Sequence, residues 1–186
     1  MALMWPLVQQ GSKGEDVRTV QYLVTAQGHP TAVDGVFGSS TKTAVEAFQA
    51  SRGLSADGVV GGQTWPQLII QVQQGSSGDA VRAVQSQMHS RGGGAAIVID
   101  GVFGSLTHDA VRAFQALLGL SVDGIVGPQT WNYLVNDYLA APDHRGIIWS
   151  TTISPRQIRT LPPRTCSAPG RHTIAIRPPR TLPQRR

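Results

Sequence analysis

The sequence is poor in the residues that most catalytic and metal sites require. Of its 186 residues only one is cysteine, Cys166, so no intrachain disulfide forms and no cysteine cluster is available for zinc. The five histidines, His29, His89, His108, His144 and His172, include neither an HExxH motif nor a pair four residues apart. No GxxxxGK[ST] phosphate loop occurs. Long apolar runs are missing too: nothing approaches the roughly 20 residues that cross a bilayer, so no membrane span is expected. The opening MALMWPLV is about half a secretory core in length, with no basic residues before it and no small-residue cleavage site after it, so no signal peptide is read there.

Acidic residues are absent after Asp143. All 11 lie between Glu15 and Asp143, whereas nine of the 16 basic residues, all arginine, fall in residues 145–186. Seven bases against 11 acids leave the first 144 residues at −4, and the tail carries +9, which together give the formal +5. The basic pI therefore describes the tail and says nothing about what the folded part binds.

What the sequence does have is repetition. DGVFGSST at Asp34–Thr41 returns as DGVFGSLT at Asp100–Thr107, with looser copies DGVVGGQT from Asp57 and DGIVGPQT from Asp123. GSKGEDV (11–17) likewise matches GSSGDAV (75–81). The offset is 64 at the start of the repeat and 66 from Asp34 onward, which puts a two-residue insertion in the loop RGGGAAIVID. This tandem duplication divides the chain into a module at 5–70, a second at 71–140, and a basic Pro/Arg-rich tail at 141–186 read as disordered.

Apolar spacing makes the modules helical. Val17, Val20 and Val24 follow an acidic first turn, with Gly28 as the stop; Thr41, Ala44, Val45 and Phe48 form the second stripe, closed by Gly53-Leu54. A third, shorter helix is predicted to begin near Gly61 and to carry Trp65 and Leu68. Its counterpart GPQTWNYL places Pro128 at the first helical position. Val81, Val84 and Met88, then Thr107, Ala110, Val111 and Phe114, repeat the pattern. The fold class is all-α, two tandem three-helix modules. Each Asp-Gly is read as a tight turn with glycine at positive φ, the next apolar residues tucked inward, and the later glycine opening a helix.

Read this way, the four aspartates are architectural. A calcium loop needs oxygen ligands at alternate positions, and each copy offers one carboxylate. Cys166 with His172 or His144 is the only conceivable nucleophile and base, in a stretch with no credible core. No catalytic residue, metal site or cofactor is expected. Phe37, Phe48 and Trp65, with Phe103, Phe114 and Trp131, are read as core, since a module of about 60 residues needs every large apolar group; Trp65 and Trp131 are the two left room to show an edge. Both copies also share Arg18 and Gln21 (Arg82 and Gln85), three residues apart on the first helix, and Gln49 (Gln115) after the second-helix phenylalanine. These six are the candidate ligand contacts; the alternative is that the glutamines bond neighbouring loop backbone while the arginines are solvated.

V-x-x-V-Q, D-G-x-F-G-x-x-T-x-x-A-V-x-x-F-Q and G-L-x-x-D-G-x-x-G-x-x-T-W together resemble the peptidoglycan-binding-domain family. They are carried by Val17–Gln21, Asp34–Gln49 and Gly53–Trp65, and again by Val81–Gln85, Asp100–Gln115 and Gly119–Trp131. The resemblance implies a three-helix module that binds bacterial peptidoglycan, through its glycan or its stem peptide, without catalysis and at the cell wall or outside the cell. Such modules accompany amidases or peptidases, so the targeting part of a hydrolase is the alternative. Two copies imply avidity, which exceeds single-site affinity by about 10² to 10⁴. The tail's charge suits anionic wall polymers and makes nucleic acid a weaker reading; a linker remnant or shifted reading frame is the bland one.

Overall fold

Helix α1 (Glu15–Ala26) forms where the valine spacing predicts it, with Glu15 and Asp16 in the first turn, where the helix dipole favours negative charge. Gly28 adopts φ 90°, and His29 N donates back to Val24 O at 2.9 Å to close the helix. Helix α2 (Ser39–Ser51) starts at Gly38 and ends the same way: Gly53 turns at φ 69° and Leu54 N reaches Gln49 O at 2.9 Å. Helices α4 (Asp79–Ser90) and α5 (Ser105–Leu117) repeat the pair. This computed structural model describes residues 3–91 and 97–136, so the tail, the last residues of module two from 137 and half of the loop RGGGAAIVID lie outside the described residues.

The third helices differ between copies. Helix α6 (Pro128–Val135) begins at the proline, whose fixed φ suits a first helical position, but α3 (Trp65–Leu68) is a single turn that starts later than the sequence predicts. Gly61 and Gly62 stand where module two has Gly127 and Pro128, so the same entry is a hydrogen-bonded turn, with Trp65 N on Gly61 O at 2.9 Å. Helix α3 also stops early, because Ile69 is already extended and the chain runs on to Val72, which bridges Val126.

Isolated antiparallel bridges tie the non-helical segments. Val8 pairs with Val60 and Val72 with Val126; Lys13 pairs with Val36 and Ser77 with Val102. Extended backbone alternates its side chains, so only one of the two apolar residues after each Asp-Gly faces inward. Phe37, Val60, Phe103 and Val126 are buried, while Val36 and Val102 are exposed, which corrects the expectation that both tuck in.

Val17, Val20, Val24, Val45, Phe48 and Trp65 fill the core of module one, and their counterparts fill module two. Burial of each such side chain stabilises by about 1.5–3 kcal/mol. Trp65 and Trp131 are wholly enclosed, with no free edge. Trp65 Nε1 donates to Pro6 O and Trp131 Nε1 to Ile70 O, each at 2.8 Å, which satisfies the one polar atom of the ring.

The most extensive helix–helix contact among the described residues joins the two copies: α1 lies against α4. Ser86 Oγ donates to Glu15, and Gln87 Nε2 reaches Asp16 Oδ1 at 3.1 Å and Thr19 Oγ1 at 2.9 Å. The start of α1 thus meets the last turns of α4, and the helices run antiparallel. Asn132 Nδ2 and Asn136 Nδ2, at the end of module two, donate to Met4 O at 2.7 and 2.9 Å.

Candidate functional site

Four Asp-Gly turns line the modules, and each is held by one helix glutamine. Gln21 Nε2 donates to Asp34 Oδ1 at 2.8 Å, Val36 O at 3.1 Å and Thr41 Oγ1 at 3.0 Å, while its Oε1 accepts from Gly35 N at 2.9 Å. Gln49 does the same for Asp57, Val59, Thr64 and Gly58, all within 3.1 Å. Gln85 and Gln115 repeat it at Asp100 and Asp123. Each aspartate also accepts from the backbone N–H two residues on, at 2.8–2.9 Å. These are Asx turns with a buried amide behind them.

The geometry sets the charge state of the four aspartates. Bonds to the carboxylate favour its charged form, so each pKa is lowered: at Asp34 first by the Val36 N–H, then by the Gln21 amide, with the Arg18 charge adding a smaller share. Asp100 has the same causes from Val102, Gln85 and Arg82; Asp57 and Asp123 rely on Val59 with Gln49 and Ile125 with Gln115. No group of three His, Cys, Asp or Glu side chains is placed to hold a metal among the described residues.

A basic side chain from a helix crosses each turn glycine. At Gly35, φ 75°, a Cβ would lie 3.0 Å from Arg18 Nε, and at Gly101, φ 78°, 3.0 Å from Arg82 Cζ. Lys42 and His108 cover Gly58 and Gly124 in the same way. Close approach and positive φ both demand glycine there.

The six sequence-selected residues therefore separate into two groups. Gln21, Gln49, Gln85 and Gln115 are at most 1% exposed, and their amides are fully used by the turns. Arg18 and Arg82 stay at the surface, with side chains 45% and 41% exposed. Arg18 Nε lies 3.9 Å from Glu15 Oε2; Arg82 Nη1 sits 2.7 Å from Asp79 Oδ1 and its Nη2 donates to Asp100 O at 3.4 Å. Beside them Val36 and Val102 are 43% and 55% exposed, and module two adds exposed Leu106 and Val98. Sequence reasoning missed Thr41, Thr64, Thr107 and Thr130 as partners of the glutamines, although the last letter of every octapeptide was the signal.

A cleft of about 310 Å³ opens where the two modules meet, lined by Lys13, Glu15, Asp16, Gln87, Ser90 and Arg91. Two of its carboxylates are engaged across the junction, Glu15 with Ser86 and Asp16 with Gln87, while Arg91 Nη2 is held within module two by Leu134 O at 2.6 Å. It is a seam between modules.

Residues 13–68 and 77–134 each match the family described as a peptidoglycan binding domain. A zinc D-Ala-D-Ala carboxypeptidase of Streptomyces albus G is 44% identical over 93 residues, which is 48% of this chain and 35% of that protein. An N-acetylmuramoyl-L-alanine amidase of Mycobacterium tuberculosis is 36% identical over 107 residues, 51% of this chain and 26% of that protein. The chain thus spans about a third or less of these two relatives. A crystal structure of a peptidoglycan-binding protein from Clostridioides difficile matches at 40% identity and a TM-score of 0.33, covering 34% of this chain and 40% of that one. With two matches that together take in more than half of its residues, the chain belongs to the peptidoglycan-binding domain family, of which it carries two tandem copies.

Proposed function

We propose that the chain binds the peptidoglycan stem peptide, without cleaving it, through the exposed side of the first Asp-Gly turn in each module: Arg18 with Val36, and Arg82 with Val102 and Leu106. The observation that carries this reading is the pairing of an exposed guanidinium with exposed aliphatic side chains at equivalent places in both copies. A stem peptide offers carboxylates and methyl groups, which such a surface recognises. Sugar rings call for an open aromatic face; Phe37, Phe48, Trp65 and their counterparts are buried, and the half-buried Trp5, Tyr22 and Tyr133 pack against the core, Trp5 with one face stacked on Trp65. In this reading Gln21, Gln49, Gln85 and Gln115 act from behind, fixing the turns that present the contact residues. Work at the cell wall follows from the ligand.

The hydrolase relatives favour a second reading, in which the modules target a catalytic domain of a longer protein. A murein-release assay on sacculi separates the two: the noncatalytic reading requires binding with no release of soluble fragments. To test the contact face, Arg18→Gln and Arg82→Gln are combined and retention on purified sacculi is measured. Loss of charged hydrogen bonds worth about 1.5–3 kcal/mol each predicts at least a tenfold weaker retention. Unchanged retention in a folded double variant refutes the face.

A further inference from the structure

The two copies are joined by a contact of one element with itself. Helices α1 and α4 are the same helix of the repeat, and they pack antiparallel, the start of α1 at Glu15, Asp16 and Thr19 against the last turns of α4 at Ser86 and Gln87; the equivalent residues Thr19 and Ala83 are both fully buried. Equivalent surfaces meeting antiparallel are the mark of a twofold axis, here an internal one. A second, independent observation agrees. Module one runs straight into module two at Leu68, and the twofold counterpart of that join is the end of module two beside the start of module one. Met4 O is held there by Asn132 and Asn136. Beads strung in the same sense would put those two ends farthest apart.

From this symmetry, and resting on the wall-binding reading above, we infer that the chain bridges two separate peptidoglycan strands and does not clamp one strand at two points. The argument holds wherever on the module the ligand sits. A wall strand has a direction; stem peptides held alike in both sites fix the direction of the glycan from which they branch, and one straight strand supplying both must run the same way past each. A twofold rotation keeps a direction only if that direction lies along the axis, whereas the line joining two equivalent sites is perpendicular to the axis. The two conditions exclude each other. Buried Thr19, Ser86 and Gln87 fix the angle between modules, so a flexible join does not relax the constraint.

The test uses the full chain and soluble, uncross-linked peptidoglycan strands, end-anchored so sparsely that neighbouring strands are out of reach. Bound chain is then offered a second, fluorescent strand. The expected result is capture of about one second strand per bound chain, with residence time on the anchored strand independent of its length to within about twofold. The inference is overturned if no second strand is captured and residence lengthens by about 10² or more once the anchored strand is long enough to reach both modules, the gain that chelation gives. Absence of retention on both anchored strands and intact sacculi sinks the wall-binding reading itself, and the inference with it; retention on sacculi with single-strand chelation sinks the inference alone.

Discussion

Replacing Gln49 by leucine keeps the volume of a fully buried side chain but strands the Gly58 N–H and removes the amide from Asp57, Val59 and Thr64. Leaving buried polar groups without partners costs about 2–4 kcal/mol, to be read as a lower urea midpoint at unchanged slope. Gln49→Glu should lose a similar amount at neutral pH, because a second carboxylate faces Asp57 where a donor stood. The aspartates themselves make stability depend on pH. Their folded pKa values are lowered, so the stabilisation is complete above the unfolded aspartate value of about 3.9 and is lost as pH falls from there through the folded values. Thermal melts between neutral and strongly acidic pH should be flat until that window and then drop. Asp57→Asn should weaken the drop; an unchanged profile would mean that the turns do not sense this charge.

At the scale of elements, the two copies serve as each other's control. Gly62 occupies the place of Pro128, and no neighbour lies within 4 Å of the Cβ it lacks. Gly62→Pro should preorganise the entry to α3 as Pro128 does for α6, stabilising by about 0.4–1 kcal/mol through a stiffer unfolded chain and raising Tm by a few degrees. A lower Tm would show that the short α3 has another cause. Helices α1, α2, α4 and α5 were legible because valine and phenylalanine recur at helical spacing and glycines stop them. The turn was legible as a turn, and glutamines bonded to neighbouring loop backbone stood as one of the two readings; which turn each glutamine holds was not legible, since the sequence separation of glutamine and aspartate varies: 13, 8, 15 and 8 residues. Arg18 and Arg82 lie on the same helices as Gln21 and Gln85, and it is the alternative with bonded glutamines and solvated arginines that matches their burial, because an uncharged amide can be enclosed with its partners where a guanidinium stays near water.

On the scale of the whole molecule, the face that joins the modules had no signal at all. Thr19, Ser86 and Gln87 are polar residues at positions that a single module would leave to solvent, and they are buried only because the other copy covers them. Apolar periodicity reports a core built within a module and is silent about one built between modules from hydroxyls and amides. The junction also ties the stabilities of the two copies together, because neither keeps α1 or α4 covered without its mate. The described residues should therefore unfold in one cooperative transition, with calorimetric and van't Hoff enthalpies equal. Ala83→Arg forces a long charged side chain into a fully buried position on α4, the helix that packs on α1. The expected outcome is two transitions in calorimetry, the first at lower temperature than the single wild-type peak, while the fluorescence of buried Trp65 and Trp131 still reports folded cores before heating. Two transitions in the wild type would mean that α1 and α4 touch without coupling, and the fixed angle between the binding faces would lose its support.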